Sequence, residues 1–306
     1  MSNKIKTLEE MERLVLGRPK QTLALVAANS EEALMAVEEA REKGCVDVHL
    51  VGDAALIRKI SAENGIDITQ YTMTDVRDPR EAAACAVSLV REGKAQLLMK
   101  GLIETSDFLR AVMDKEKGLR TNARMCALVV IESAAAKKLL VLGDVGTNIA
   151  PNVEEKASIL ESSFLVARAM GIENPKAAVL CANEHVKDSM PCTAEAAELA
   201  RMSREGTISG LVEGPISMDL AVDLHAAQVK GYQGAIQGDA DILLVPDLEA
   251  GNILIKGLMY LSGDIRVAGV GMGAQVPLVQ TSRGDDRNTK YYSIVLASLV
   301  SQYLQT

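Results

Sequence analysis

The stretch ADILLVPDLEAGNILIKGLMYLSG (Ala240–Gly263), continuing as DIRVAGVGMGAQVPLVQTSRGDDRNTKYYSIVLAS (Asp264–Ser298), carries the reading of the fold. Ile242–Val245 is an apolar run of strand length that stops at Pro246-Asp247. Helical spacing follows at once, with Ile253, Leu254, Gly257, Leu258 and Leu261 on one face. Two more apolar runs, Ile265–Val270 and Val276–Val279, lead into the polar knot Thr281-Ser282-Arg283-Gly284-Asp285-Asp286. The helix after it, expected over Asn288–Tyr303, has an apolar stripe that needs a sheet to pack on. Strand ends that deliver helix N-termini, followed by a hydroxyl, an arginine and carboxylates, suit an anionic ligand.

Outward from this stretch the same strand–turn–helix rhythm recurs. Strands are expected at Thr22–Ala27, Val46–Val51, Ile66–Met73 and Gln96–Met99, then at Ala127–Ile131, Leu139–Leu142, Ala177–Leu180 and Ile208–Glu213. Helices alternate with them, as in doubly wound α/β sheets. The unit Gln96–Met113 repeats the pattern of 241–261: a strand, a turn with Gly101, and small polar residues at a helix start. One dense turn cluster, Gly143–Asn152, marks a domain crossing. The expected division is therefore residues 1–142 with 281–306, and residues 143–280.

Composition narrows the function. The chain has 306 residues, a formal net charge of −8, 3% aromatics and no Trp. It has too few ring platforms for base stacking and no basic run for nucleic acid or lipid. No uncharged apolar run reaches membrane length and the N-terminus lacks a signal-peptide pattern, so a cytoplasmic setting is expected. The five cysteines are an odd number and widely spaced, which reads as reduced thiols.

Several motifs invite chemistry that their context denies. Gly269-Val270-Gly271-Met272-Gly273-Ala274 has the spacing of a dinucleotide-binding turn, but that turn must open a helix. Here an extended run containing Pro277 follows, so the glycines are expected to let two strands turn tightly. Cys181, His185 and Cys192 match no standard zinc spacing, and no nucleophile elbow is present. The hydroxyl-bearing helix starts are more informative. Thr105 and Ser106, with Arg110 one turn later, serve either as caps or as an anion site. Ser282-Arg283 with Asp285 and Asp286 is crowded for a simple cap. A carboxylate beside a phosphate would repel it, so its presence there points to proton handling.

At these residues the sequence resembles the phosphate acetyl/butyryltransferase family. LLMKGLIETSDFLRAVMDKEKGLR, GPISMDLAVDLHAAQ, ADILLVPDLEAGNILIKGLMYLSG and QVPLVQTSRGDDRNTKYYSIVLAS carry the likeness, which is stronger to the phosphate butyryltransferases. The resemblance implies two α/β/α domains with an interdomain cleft, related to the isocitrate and isopropylmalate dehydrogenases. It implies acyl transfer between coenzyme A and inorganic phosphate, butyryl favoured over acetyl, in a homodimer or larger homo-oligomer. It places Ser282 and Arg283 at the thioester and phosphate and Arg110 on phosphate; Lys100, Thr105, Ser106, Asp247 and Asn252 are expected beside them as substrate-binding residues. The family's further catalytic aspartate falls on Thr289 here, so either Asp285 or Asp286 substitutes for it or the thiol proton is handled by another route. Direct attack by phosphate calls for no metal, cysteine nucleophile or redox cofactor. An alternative within the resemblance is a non-catalytic acyl-coenzyme A-binding or regulatory subunit.

Overall fold

A computed structural model describes residues 5–282 and 284–305. Leu8–Asn122 and Ala268–Thr306 form one compact unit, and a second is built on Ala123–Val267.

In the first unit α1 (Leu8–Leu16) is followed by β1 (Gln21–Val26), α2 (Glu31–Glu42), β2 (Val46–Gly52) and α3 (Ala54–Glu63). Then come β3 (Thr72–Asp75), α4 (Pro79–Arg91), β4 (Leu97–Lys100) and α5 (Thr105–Val112). Helix starts follow from local chemistry: Ser30, Asp53 and Asp78 each accept backbone N–H bonds as N-caps of α2, α3 and α4. A single 3-10 turn, Ile68–Gln70, stands where the sequence pattern suggested strand from Ile66. Asp67 accepts from the Thr69 N–H there, which turns the chain and delays β3 to Thr72.

The second unit holds β5 (Cys126–Ser133), β6 (Lys138–Gly143), α6 (Val153–Ala169), β7 (Lys176–Leu180), α7 (Pro191–Arg204) and β8 (Leu211–Ile216). It continues with α8 (Met218–Val222), α9 (Leu224–Val229), β9 (Ile242–Leu244) and α10 (Leu248–Leu261). Its strand order is β5-β6-β9-β7-β8, parallel except for the β5–β6 hairpin. The Gly143–Asn152 cluster lies inside this unit, unlike the division at 142/143. The reason is pairing: β6 runs beside β9, with Val141 opposite Ile242, so the β5–β6 hairpin is held with residues far downstream.

The chain returns to the first unit with β10 (Arg266–Met272), β11 (Leu278–Val279) and α11 (Arg287–Leu304). The order there is β3-β2-β1-β4-β11-β10. Winding proceeds from β1 outward to β3, then α4 carries the chain back to β4 on the other side of β1. With right-handed crossovers this reversal puts α4 on the opposite face from α2. α11 packs beside α1 and α2 and is buried along most of its length, including Tyr291, Ile294, Leu296 and Leu299. The Ser301 hydroxyl donates to Gln21 Oε1, and the Gln302 amide donates to the Pro19 carbonyl, so the last helix closes over the first strand. Among the described residues no helix is long and apolar enough to cross a membrane.

Candidate functional site

In an open α/β sheet the crevice for ligands lies beyond the carboxyl ends of the strands, where the winding reverses. Here that point falls between β1 and β4. The two run parallel, with Val26 opposite Lys100. β11 lies parallel on the other side of β4, with Val279 opposite Met99. Residues 27–30, 100–106, 280–282 and 284–286 therefore emerge at one edge.

This edge is tightly built. Ala27 takes φ 50°, a left-handed conformation uncommon for alanine. A Cβ on Gly101 would stand 2.5 Å from the carbonyl oxygens of Val26 and Ala27, so glycine alone fits. The Gly101 and Leu102 N–H groups donate to those two oxygens. Lys100 is buried, and its ammonium donates to the Ile103 carbonyl at 3.3 Å, holding the turn that leads into α5.

α5 starts differently from its neighbours. Its N-cap residue, Glu104, makes no side-chain capping bond. Thr105 and Ser106 are the first two helical residues and both are exposed, so neither acts as the cap that their position had allowed. Asp107 accepts from Arg110 Nη1 and, at 3.0 Å, from Arg80 Nε. The Arg80 bond, aided by Arg110, holds the Asp107 carboxyl below the usual carboxylate range against the opposing effect of burial. Arg80 and Arg110 keep 71% and 69% of their side-chain surface in solvent, so the shared carboxylate aligns two guanidinium groups without covering them. Arg80 is absent from the sequence-based site. It lies 27 residues from Asp107, just after the Asp78-Pro79 helix start, and no periodicity links the two.

The β11–α11 turn uses its polar groups on itself. Thr281 is buried and Ser282 exposed. The Ser282 N–H donates to Asp285 Oδ2 at 2.7 Å, and the Asp285 N–H donates back to the Ser282 carbonyl. The Lys290 ammonium donates to the Asp285 carbonyl. Asp286 is the N-cap of α11, accepting from the Thr289 N–H at 2.7 Å. Asp285 thus shapes the serine turn while Asp286 ends the loop as a cap. Arg283 lies outside the described residues.

Asp247 and Asn252 belong to the other unit, where both are engaged in folding. Asp247 caps α10 by accepting from the Ala250 N–H at 2.8 Å. The Asn252 amide donates to the Val145 carbonyl at 3.2 Å. A Cβ on Gly251 would come within 2.9 Å of the Asp144 carbonyl, so glycine lets α10 approach the 144–148 loop. Asp144 organises that loop, accepting from the N–H groups of Ala127, Gly146, Thr147 and Asn148 and from the Asn148 amide.

The glycine run 269–274 opens no helix. β10 ends at Met272, Gly273 takes φ 102°, and the chain returns antiparallel as β11 with Gly271 opposite Leu278. A dinucleotide turn would have delivered a helix N-terminus there.

Comparison with known proteins adds an independent finding. The sequence profile described as phosphate acetyl/butaryl transferase matches residues 71–298. The chain is 41% identical to the phosphate butyryltransferase of Clostridium acetobutylicum over 97% of its own length and 99% of that protein's. It is 39% identical to the phosphate acetyltransferase of Thermotoga maritima, over 95% of this chain and 99% of the relative. Among solved structures, a branched-chain phosphotransacylase from Enterococcus faecalis V583 superposes with a TM-score of 0.82 at 31% identity, covering 92% of this chain and 99% of that one.

Proposed function

The chain belongs to the phosphate acetyl/butyryl transferase family, and we propose that it moves a short acyl group, butyryl in preference to acetyl, between coenzyme A and inorganic phosphate. The observation that carries this reading is the likeness to a phosphate butyryltransferase across nearly the whole of both chains. The carboxyl edge of β1, β4 and β11 supports it by presenting exposed hydroxyls and aligned arginines to an anion.

The chemistry balances without a further reactant. A phosphate oxygen attacks the thioester carbonyl, the C–S bond breaks, and the phosphate's proton ends on the coenzyme A thiol. Arg110 and Arg283 neutralise the phosphate, and Arg80 joins them through the shared Asp107. Thr105 and Ser106 offer hydroxyls beside them at the start of α5, and Lys100 holds the turn that presents that start. Ser282 donates to the thioester oxygen or the leaving sulfur. Preorganised donors of this kind are worth most where charge develops. We assign the thiol proton in the reverse direction to Asp285 or Asp286, each of which accepts one backbone N–H bond in this turn. Asp247 and Asn252 act as scaffold for the second unit.

Self-association fits the same reading. Ile253, Tyr260 and Leu261 on α10 are 72%, 73% and 87% exposed, beside an apolar cavity of about 610 Å³ lined by Leu254, Leu258, Leu140 and Leu243. A homodimer joined through this face is expected, and Leu261→Asp should dissociate it in sedimentation. A wild-type chain that sediments as a monomer at all concentrations contradicts the homodimer.

The acyl preference is tested by kcat/KM for butyryl-, acetyl- and branched-chain acyl-coenzyme A at saturating phosphate. Butyryl-coenzyme A should be the best of the three by several-fold or more. A higher value for acetyl-coenzyme A overturns the butyryl assignment and leaves the acyl transfer standing.

A further inference from the structure

Cys181 and Cys192 both belong to the second unit. Cys181 follows β7 directly, and its N–H donates to the Ile216 carbonyl at 2.9 Å, which fixes it to the sheet. Its thiol is buried and lies 3.4 Å from the Cys192 carbonyl. Cys192 is the second residue of α7 and is half-buried. The neighbouring residue anchors this helix start: the Thr193 hydroxyl accepts from the Lys187 N–H at 2.9 Å and donates to the Met190 carbonyl at 2.7 Å. Residues 185–189, between the two cysteines, are exposed, and Cys192 itself keeps part of its surface in solvent. Burial, and then the neighbouring Cys192 thiol, push the Cys181 thiol up to about 12. No third Cys, His, Asp or Glu joins them as a metal-binding group among the described residues.

We propose that Cys181 and Cys192 form a reversible dithiol–disulfide pair, oxidised by hydrogen peroxide or an organic hydroperoxide. The sulfur of Cys192, the less buried of the two residues, attacks a peroxide oxygen; the O–O bond breaks, giving a Cys192 sulfenic acid and water or an alcohol. The Cys181 sulfur then attacks the sulfenic sulfur, the S–O bond breaks, and water leaves with the Cys181 proton. Both sulfurs are oxidised and the peroxide is reduced. A small dithiol reverses the step by exchange. The product ties the end of β7 to the start of α7 and closes segment 182–191 into a ring.

The test uses the intact chain, treated with hydrogen peroxide and digested with trypsin without reductant. Wild type should lose two of its five thiols. A disulfide-linked pair of peptides, Ala177–Lys187 with Asp188–Arg201, should appear, and dithiothreitol should restore all the thiols. Cys181→Ser should leave a Cys192 sulfenic acid that dimedone traps. Wild-type thiols that survive peroxide, thiols lost without this linked pair, or a link joining other cysteines would each overturn the proposal.

Discussion

The β4–α5 and β9–α10 units read alike in sequence: an apolar strand, a tight turn containing proline or glycine, and small polar residues opening a helix. In the structure they divide. Asp247 caps α10, Gly251 admits the 144–148 loop and Asn252 ties the helix to Val145, so the polar residues of β9–α10 are used to fold. At β4–α5 the helix has no side-chain cap, Thr105 and Ser106 face solvent, and Asp107 aligns Arg80 and Arg110 instead of capping. A hydroxyl or carboxylate at a helix start is therefore informative only once its own helix has been shown not to need it.

Mutations that separate the two uses should therefore separate rate from stability. Arg283→Ala is expected to have the largest effect on rate. Losing a charge-assisted contact costs roughly 1.5–3 kcal/mol, and more where charge develops in the transition state. That is about ten- to several-hundred-fold in kcat/KM with little change in Tm. Arg283→Lys should recover part of it, keeping the charge and losing the planar fork. Arg110→Ala should follow, with about a tenfold loss or more, read mainly in the KM for phosphate if its contact is equal in ground and transition states. Unchanged kinetics in a folded Arg110→Ala chain would return α5 to the class of β9–α10.

Asp107→Asn should act indirectly and less. It frees both guanidinium groups to wander, so kcat/KM falls by a few-fold while each charge remains. Its pH signature has a definite sign. Because the folded pKa of Asp107 is depressed, its stabilising pairing is full above the unfolded value of about 3.9 and is lost as pH falls through the folded value. The Tm difference between wild type and Asp107→Asn should be flat above about pH 4 and shrink below it. A difference that instead grows on acidification contradicts the pairing. The smallest effect on rate belongs to Asp247→Ala. Loss of an N-cap costs about 1 kcal/mol, a few degrees in Tm for a chain of this size, with kcat/KM unchanged. A hundredfold loss of rate there would place Asp247 on the substrate.

Much of this was legible in the sequence. Caps at Ser30 and Asp53, the end of α1 before Pro19 and the glycine turn at 269–274 are set by residues close together in the chain, and local chemistry decides them. The Asp67 turn that delays β3 is also local; its Asp-x-Thr signal was outweighed by the apolar residues around it. Other features were not legible because they depend on pairing across the fold. The β6–β9 ladder keeps the 143–152 turns within one unit instead of between two, and Arg80 reaches Asp107 only because α4 packs on α5. Asp285 and Asp286 are adjacent in sequence, yet one shapes the serine turn and the other caps α11. Composition alone does not distinguish them.

Acyl transfer to phosphate yields two products together, a free thiol and an acyl phosphate. It is tested most directly by following free thiol with dithionitrobenzoate and acyl phosphate by phosphorus NMR in one reaction of butyryl-coenzyme A with the purified chain. One acyl phosphate should appear for each thiol released, with no thiol release when phosphate is omitted. Thiol release that proceeds equally without phosphate would make the chain a thioesterase. No release with any acyl group of two to five carbons would make it a binding subunit, and either result would contradict the account.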